Sequence, residues 1–400
     1  MGNLKNKSNI KNSQLINNIE ELNNLKEENA GNNNEDKYKI VVGVDFGTAG
    51  IGYAYSFYND QTNIILSDFH GQTADHKVPS EIILDNNLED ILAFGNECKR
   101  YIKTHNKSEY KYEYFKNIKM NLYNKIYEIK STNGRQANIE TIISKMLEAI
   151  SKNALSQIKK SSNDYLIKKE DIKWIVTIPA IWDEKSKEIM IKASIKAGLI
   201  KHTNDKSLFL ALESEVAGIY YYSSIYMDSK FEDPHIKAGK PYIICDIGAG
   251  TVDICTHKKV IKNDKTSELI EEYPPIGGDY GGNKINEEFI KRLIIEIFGE
   301  EKVNKLQSNI EYEDWDKFEK EIEELKKSAF DNDGEELTLD CILFEDNENK
   351  KTLNDYIFDY NKKNHIHNYS IKTMRRWELY FQVRFFMIYL KNYQKKFSKK

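Results

Sequence analysis

The sequence predicts an α/β protein built from two related lobes, and three observations favour this fold class. The segment YKIVVGVDFGTAGIGYAYSF, residues 38–57, has the pattern of a strand, a glycine turn and a second strand. The same pattern returns in PYIICDIGAGTVDICT, residues 241–256. Asp45 and Asp246 hold equivalent places in the two segments, about 200 residues apart. Such an internal repeat indicates one glycine hairpin in each lobe, with a ligand between them.

The two hairpins are predicted from their patterns of apolar residues. Tyr38 to Val44 cluster β-branched residues as a buried strand does, and the glycine turn falls on residues 45–50. Ile51 to Phe57 then resume a strand with small residues on one face. Residues 241–256 follow with an apolar strand, an aspartate, Gly-x-Gly-Thr and another apolar strand. Each hairpin therefore places a carboxylate directly before its glycine turn.

The length of the chain is sufficient for two cores. With 400 residues, of which 40% are hydrophobic, at least two lobes are expected. We predict a tail over residues 1–37, a first lobe over 38–240, a partial second lobe over 241–345 and a divergent helical tail over 346–400. The first 37 residues are rich in Asn, Lys and Glu and poor in aromatics. We expect that tail to be disordered, because it has too little apolar surface to offset the entropy of ordering.

Charge and cysteine usage exclude several classes of function. A formal charge of −4 gives no general basic field, so nucleic acid is not an expected partner. The stretch of uncharged apolar residues that a membrane helix needs does not occur in the sequence. Four cysteines without a CxxC pair indicate neither a zinc site nor a disulfide framework. We expect buried thiols at Cys245 and Cys255, and a cytoplasmic protein.

The glycine turns predict phosphate binding. Glycines can adopt positive φ and carry no Cβ, so successive backbone N–H groups can converge on an anion. Thr48 and Thr251 would add hydroxyl donors. An aspartate before each turn suits a hydrated Mg²⁺, which binds through one or two carboxylates and phosphate oxygens. The predicted ligand is a magnesium nucleotide, ATP or ADP, whereas an ordinary glycine hairpin is the alternative for either segment alone.

Five motifs in order resemble the ATPase region of the seventy-kilodalton heat-shock proteins, and most closely their 12A/12B branch. They are VGVDFGT (42–48), WIVTIPAIW (174–182), ALESEVAGIYY (211–221), CDIGAGTVD (245–253) and GGDYGGNKIN (277–286). The resemblance covers residues 38 to about 330. It implies an actin-like ATPase fold, in which two ribonuclease-H-like lobes close around ATP and Mg²⁺.

The resemblance implies roles for the first loop and for three acids. Asp45 matches the first-lobe carboxylate that orients metal-bound water, and Gly47 and Thr48 match the first phosphate loop. Glu213 matches the acid that holds metal-bound water, although an acid that begins a helix is the simpler alternative. Asp45, Glu213 and Asp246 are thus expected to hold Mg²⁺ through water.

The second loop is expected to contact the β- and γ-phosphates. Asp246 matches the carboxylate close to the attacking water, and Asp253 fits a further supporting acid. The loop itself comprises Gly248, Ala249, Gly250 and Thr251. Ala249 replaces the family's middle glycine, a change that could tilt the loop or be absorbed.

In the family, a lysine after the first group of strands holds the γ-phosphate. YFKNIKMNLY offers Lys116 and Lys119, and Lys119 is preferred although spacing does not decide.

The helix EIEELKKSAF resembles the family helix that contacts adenosine, which assigns Glu323, Lys326 and Lys327 to the nucleotide. The motif GGDYGGNKIN adds Gly281 and Gly282 to the nucleotide-binding set. A solvated helix face with i,i+3 and i,i+4 ion pairs is the alternative for the three charged residues.

Two departures from the family bear on function. Ala49 and Gly50 replace a hydroxyl and an aromatic ring in the first phosphate loop, and no Gly-Gly turn follows residue 330. The second lobe is therefore predicted to be incomplete. The segment SIKTMRRWELYFQVRFFMIYLKNYQKKFSKK is predicted to form an amphipathic helix that packs on the second lobe, or alternatively binds a partner or a membrane surface.

Two functions remain open from the sequence. The first is a slow magnesium-dependent ATPase whose lobe closure is read by protein clients or co-chaperones, without a peptide-clamping domain. The second is a non-catalytic nucleotide-binding or scaffold protein that lacks the adenosine clamp. A sugar kinase of the same superfamily is a distant third, because its acceptor aspartate has no counterpart.

Overall fold

The chain forms two compact units, Met1–Gly278 and Asp279–Lys400. The computed structural model describes residues 38–69, 76–105, 111–162, 164, 166–227, 239–261, 267–308, 312–331, 336–345, 351–364, 371–373 and 378–382. The tail predicted over residues 1–37 lies outside these ranges.

Within the described ranges, the first unit alternates short strands with five α-helices. Its strands are β1 Ile40–Phe46, β2 Gly50–Phe57, β3 Asp60–Leu66, β4 Lys77–Pro79, β5 Glu81–Asp85, β6 Ile91–Phe94, β7 Tyr112–Lys116, β8 Glu128–Lys130, β9 Gln136–Asn138, β10 Ile172–Ile178, β11 Leu208–Leu212, β12 Pro241–Ile247, β13 Val252–Ile261 and β14 Ser267–Gly278. Its helices are α1 Asn96–Thr104, α2 Ile118–Tyr123, α3 Ile139–Ser162, α4 Glu184–Lys196 and α5 Glu213–Met227.

The main sheet of this unit has the strand order β11-β10-β1-β2-β3, with β4 added beside β2. Strands β1, β2 and β3 form an antiparallel meander. By contrast, β10 runs parallel to β1, and β11 runs parallel to β10. A meander followed by two parallel strands on the other side of β1 is the ribonuclease-H-like arrangement. The predicted strand, glycine turn and strand of residues 38–57 are confirmed as β1 and β2.

The core of this sheet lies between its inner face and helices α3 and α4. Alternate residues of β1, from Ile40 to Phe46, are completely buried, as period-2 patterning requires. Trp174 and Trp182 are 0% and 4% exposed within the same core, which supports a packing role for both rings. The core fixes the position of β1 and β10, whose carboxyl ends carry the candidate site.

The second sheet of the first unit consists of β12, β13 and β14, all antiparallel. It repeats the meander of β1 to β3, and Asp246 lies opposite Asp253 in its register. In the part of the chain that the structure describes, no parallel strand pairs with β12, so the second sheet lacks the two strands that complete the first. Cys245 is exposed on this sheet, contrary to expectation, whereas Cys255 is buried.

The boundary between the units differs from the one expected near residue 240. Residues 241–278 belong to the first unit, because helix α5 packs on β12 and β13. Gly218 of α5 permits this contact, since a Cβ there would lie 3.0 Å from His257 Nδ1.

The second unit is a helical cluster with a small sheet. Its elements are α6 Gly282–Phe289, a π-helical turn Ile290–Ile294, α7 Ile295–Phe298, α8 Glu300–Ser308, α9 Tyr312–Asp331, β15 Glu336–Asp340, α10 Leu353–Lys363, β16 Ile371–Thr373 and β17 Glu378–Gln382. The strands pair antiparallel in the order β15-β17-β16. The prediction of a helix is therefore wrong at residues 371–373 and 378–382, because strand pairing overrides the helical spacing of the apolar residues. Residues 383–400 lie outside the described ranges.

No helix within the described ranges is both long and apolar enough to cross a membrane.

Candidate functional site

The first glycine loop joins β1 to β2 at residues 47–49. Gly47 is needed because a Cβ there would collide with the carbonyl oxygen of Gly50. The side chain of Thr48 is buried beneath the turn. Gly47, Gly50, Gly248 and Gly250 do not use the left-handed region, so the expectation of positive φ is wrong. Close approach of neighbouring atoms is the reason for glycine at Gly47 and Gly250.

The second loop joins β12 to β13 and meets the first. The N–H of Gly248 donates to the carbonyl oxygen of Thr251 at 2.9 Å, which closes the turn. A Cβ on Gly250 would lie 2.9 Å from Thr48 Cγ2 and 2.6 Å from Met120 Sδ. The two loops therefore touch through Gly250 and Thr48. Ala249 is accommodated without a left-handed backbone, so its methyl group is absorbed.

A buried ion pair lies beside the loops. The ammonium group of Lys119 in α2 donates to Glu213 Oε1, and the two side chains are 3% and 13% exposed. Glu213 is the first residue of α5, as predicted for an acid at a helix start. Lys116 instead ends β7, opposite Glu81. Lys119 is thus paired with Glu213, and its role at the phosphates stays a prediction.

The carboxyl group of Glu213 lies within the electric field of two other acids. Burial raises the pKa of Glu213 to about 7, the ion pair with Lys119 opposes this rise, and the charges of Asp253 and Asp45 add to it. One acid from each hairpin, Asp45 and Asp253, therefore disfavours the ionisation of Glu213. Such mutual repulsion is relieved by a cation, which is the usual device at phosphate sites.

Asp253 is held in place by contacts from two other segments. Its side chain is 1% exposed, and its Oδ1 accepts the N–H of Ala180 at 2.9 Å. A hydrogen bond from Thr251 also reaches this carboxyl group, while burial, reinforced by Asp246, raises its pKa. Gly277 of β14 leaves room here, since a Cβ there would lie 2.9 Å from Asp253 Oδ1. Both Ala180 and Gly277 lie within quoted motifs, yet no sequence pattern indicated that they contact Asp253.

Asp45 has two further partners that sequence reasoning missed. Thr177 Oγ1 donates to its Oδ1 at 3.3 Å, and Lys77 Nζ lies 2.5 Å from its Oδ2. The contact of Thr177 with Asp45 follows from the place of Thr177 on β10 beside β1. Lys77 begins a strand of only three residues and belongs to no motif. A groove of about 530 Å³ extends along the sheet face, and Asp45, Lys77 and Thr177 line it together with apolar side chains. The polar groups around Asp45 therefore border this groove.

The carboxylates fit a hydrated metal ion better than a directly bound one. No cluster of three or more His, Cys, Asp or Glu side chains in the described ranges could hold a metal directly. Mg²⁺ keeps several waters and uses few carboxylates when phosphate is present. The residues present therefore fit Mg²⁺ held through water together with a phosphate chain.

The remaining candidates belong to the second unit. Lys326 is 9% exposed, and its Nζ donates to Gly282 O at 3.0 Å and to Glu323 Oε2 at 2.6 Å. Glu323 also accepts from Asn286 Nδ2 at 2.8 Å, whereas Lys327 is exposed and pairs with Glu324 at 2.9 Å. Gly281 is the N-cap residue of α6. Both Glu323–Lys326 and Glu324–Lys327 are i,i+3 ion pairs of the kind that the alternative expects, and only the burial of Lys326 departs from a solvated face.

The main sheet and the paired glycine loops define the class of fold as that of the actin-like ATPases. Among solved structures, MreB5 of Spiroplasma citri bound to ADP matches 91% of this chain and 77% of that chain, with 14% identity and a TM-score of 0.46. At that score the likeness adds nothing to the fold class, which follows from strand order and the repeated hairpin.

Sequence comparison identifies the particular relatives. Mouse heat shock 70 kDa protein 12A is 25% identical over 330 residues, which are 69% of this chain and 48% of the relative. Human heat shock 70 kDa protein 12B is 25% identical over 319 residues, 66% of this chain and 46% of the relative. The match thus spans about half the length of these curated relatives. No protein-family model matches the chain. These similarities confirm the resemblance to the 12A/12B branch that the five motifs indicated.

Proposed function

We propose that the protein binds ATP and ADP with Mg²⁺ at the two glycine loops of the first unit and hydrolyses ATP slowly. The observation that carries this proposal is the contact between Gly250 and Thr48, which joins two Asp-Gly-Thr loops distant in sequence. A pair of such loops offers backbone N–H groups and hydroxyl donors to one phosphate chain.

Each residue of the site has a physical task in this proposal. Thr48 donates to a phosphate oxygen, and Thr251 does so when its hydroxyl turns away from Asp253. Lys119 supplies positive charge that Glu213 keeps in place. Asp45, Glu213 and Asp246 would hold Mg²⁺ through water, while Asp253 accepts hydrogen bonds from Thr251 of the second loop and from Ala180. A bound Mg²⁺ would neutralise phosphate charge. Phosphoryl transfer needs mainly such positioning and charge neutralisation.

A role of the second-unit candidates in binding adenosine stays a proposal that rests on the family resemblance. Glu323, Lys326 and Gly282 are joined by hydrogen bonds into one cluster at the start of α6, which supports a shared role. Movement of the two sheets on nucleotide binding would then be read by protein clients or co-chaperones.

Calorimetry with Mg-ADP, followed by a phosphate-release assay with ATP, tests the proposal. We expect Asp246→Asn to weaken Mg-dependent binding and to lower the rate on the order of 100-fold, because it removes the charge beside the attacking water. Asp60→Asn, in the exposed strand β3, is the matched control and should leave both unchanged. Binding without phosphate release would favour the non-catalytic alternative, and absence of binding would refute the proposal.

A further inference from the structure

Lys77 is placed against Asp45 by a short strand rather than by a flexible loop. It is the first residue of β4, which pairs antiparallel with β2 so that Lys77 lies opposite Gly52. Its ammonium group is 2.5 Å from Asp45 Oδ2, at the carboxyl end of β1. An ammonium group therefore already contacts one of the carboxylates assigned to the metal.

The neighbouring strand is shaped to let this side chain pass. A Cβ on Gly52 would lie 3.0 Å from Lys77 Cγ and 2.7 Å from His76 O. A Cβ on Gly50 would lie 3.5 Å from Lys77 Cβ, within contact distance of the same stem. Two glycines of β2 thus line the path of the lysine stem towards Asp45. Side chains at these positions would crowd β4 and the lysine.

The other side of Asp45 is also occupied. Its Oδ1 accepts the hydroxyl of Thr177 at 3.3 Å, so both carboxylate oxygens have partners. The lysine ammonium is a compact, strongly hydrated point charge, which is also what a hydrated Mg²⁺ presents to a carboxylate. Two such cations at one carboxylate repel each other, so they compete for Asp45.

We propose that Lys77 is a tethered cation that competes with Mg²⁺ for Asp45, which makes nucleotide binding less dependent on Mg²⁺. This inference rests on the proposed nucleotide site. Without the metal, Lys77 neutralises the carboxylate that would otherwise repel phosphate. When Mg²⁺ binds, the contact between Lys77 and Asp45 has to break. This cost offsets part of the nucleotide affinity that the metal adds.

The test is the ratio of the ADP dissociation constants in EDTA and in saturating Mg²⁺, measured by calorimetry. Lys77→Met keeps the apolar stem over the glycines but removes the charge. We expect this variant to raise the ratio on the order of 5-fold, since one partly exposed ion pair is lost. Lys77→Arg keeps a cation and should stay closer to the wild-type ratio than Lys77→Met does.

Two further variants separate this role from general effects. Lys173→Met removes a lysine from the same sheet and should leave the ratio unchanged. In an Asp45→Asn background, Lys77→Met should have no further effect, because the shared carboxylate is gone. An unchanged ratio in Lys77→Met, with ADP still bound, would overturn the inference alone. Failure of the wild type to bind ADP at all would overturn the proposed function and this inference with it.

Discussion

At the scale of single residues, glycine is required in the loops for space rather than for an unusual backbone. Gly250 faces Thr48 and Met120 so closely that a methyl group would have no room. Gly43, by contrast, lies in β1 with its nearest potential contact, Ala54 O, at 4.0 Å. The two positions therefore differ in steric constraint although both belong to sheet hairpins.

Gly250→Ala should lower the free energy of unfolding by about 1–3 kcal/mol, because overpacking forces Thr48 and Met120 to move. Gly43→Ala, the matched control, should leave the stability unchanged or slightly raised, since the methyl group meets only ordinary contacts. Urea denaturation of both variants measures the difference. Equal stability of the two would contradict the steric role of Gly250.

At the scale of elements, helix α5 links the site to the second sheet. Its first residue, Glu213, pairs with Lys119, and Gly218 lies against β12 and β13. Between them, Glu215 is 6% exposed, and its Oε2 has no hydrogen-bond partner within the described residues. Burial, reinforced by the charge of Glu271 on β14, raises the pKa of Glu215 to about 7. The seam between α5 and the second sheet therefore contains an acid that resists ionisation.

This shift predicts a pH dependence of stability. The unfolded chain ionises Glu215 near its ordinary pKa of 4.5, whereas the folded chain does so only near 7. Between these values the unfolded state binds fewer protons, so stability falls as pH rises, and the deficit is constant above pH 7. Glu215→Gln should recover up to about 3 kcal/mol at pH 8 and little at pH 4. Urea denaturation at both values is the measurement.

Glu188→Gln is the control for this prediction. Glu188 is exposed on α4, and hydrogen bonds from Lys192 and Lys185 lower the pKa of its carboxyl group. Glu188 therefore stabilises the folded protein at high pH, and this stabilisation is lost as pH falls. The effect is opposite in sign to that of Glu215. If Glu215→Gln gave no gain at pH 8, the carboxyl group would have to be ionised without cost in the folded protein.

At the scale of the whole molecule, the chain builds two separate hydrophobic cores. The first surrounds the main sheet and includes Ile142 of α3, and the second packs α6 to α10 and includes Ile322 of α9. Both side chains are completely buried. Each unit therefore has the apolar interior that a cooperative folding unit needs.

Ile322→Ala should destabilise its own unit by about 2–5 kcal/mol through loss of buried contacts and the cavity that remains. Faster amide exchange is expected in α9 and α10, while β1 and β10 keep their protection. Ile142→Ala is the matched variant in the first core and should give the reverse pattern. Hydrogen exchange measured by mass spectrometry distinguishes the two. Loss of protection throughout the chain in both variants would show one folding unit.

The sequence by itself determined the parts of this protein that depend on neighbours along the chain. Asp45 and Asp246 stand before glycine turns, and Glu213 begins a helix, because strand alternation and helix-start chemistry are local. Only the tertiary structure brought Lys77 and Thr177 to Asp45 and Ala180 to Asp253, since each comes from another strand or turn. It also turned residues 378–382 into a strand rather than a helix, because pairing with β15 satisfies the backbone. A local pattern specifies which groups are available, and long-range pairing decides which of them meet.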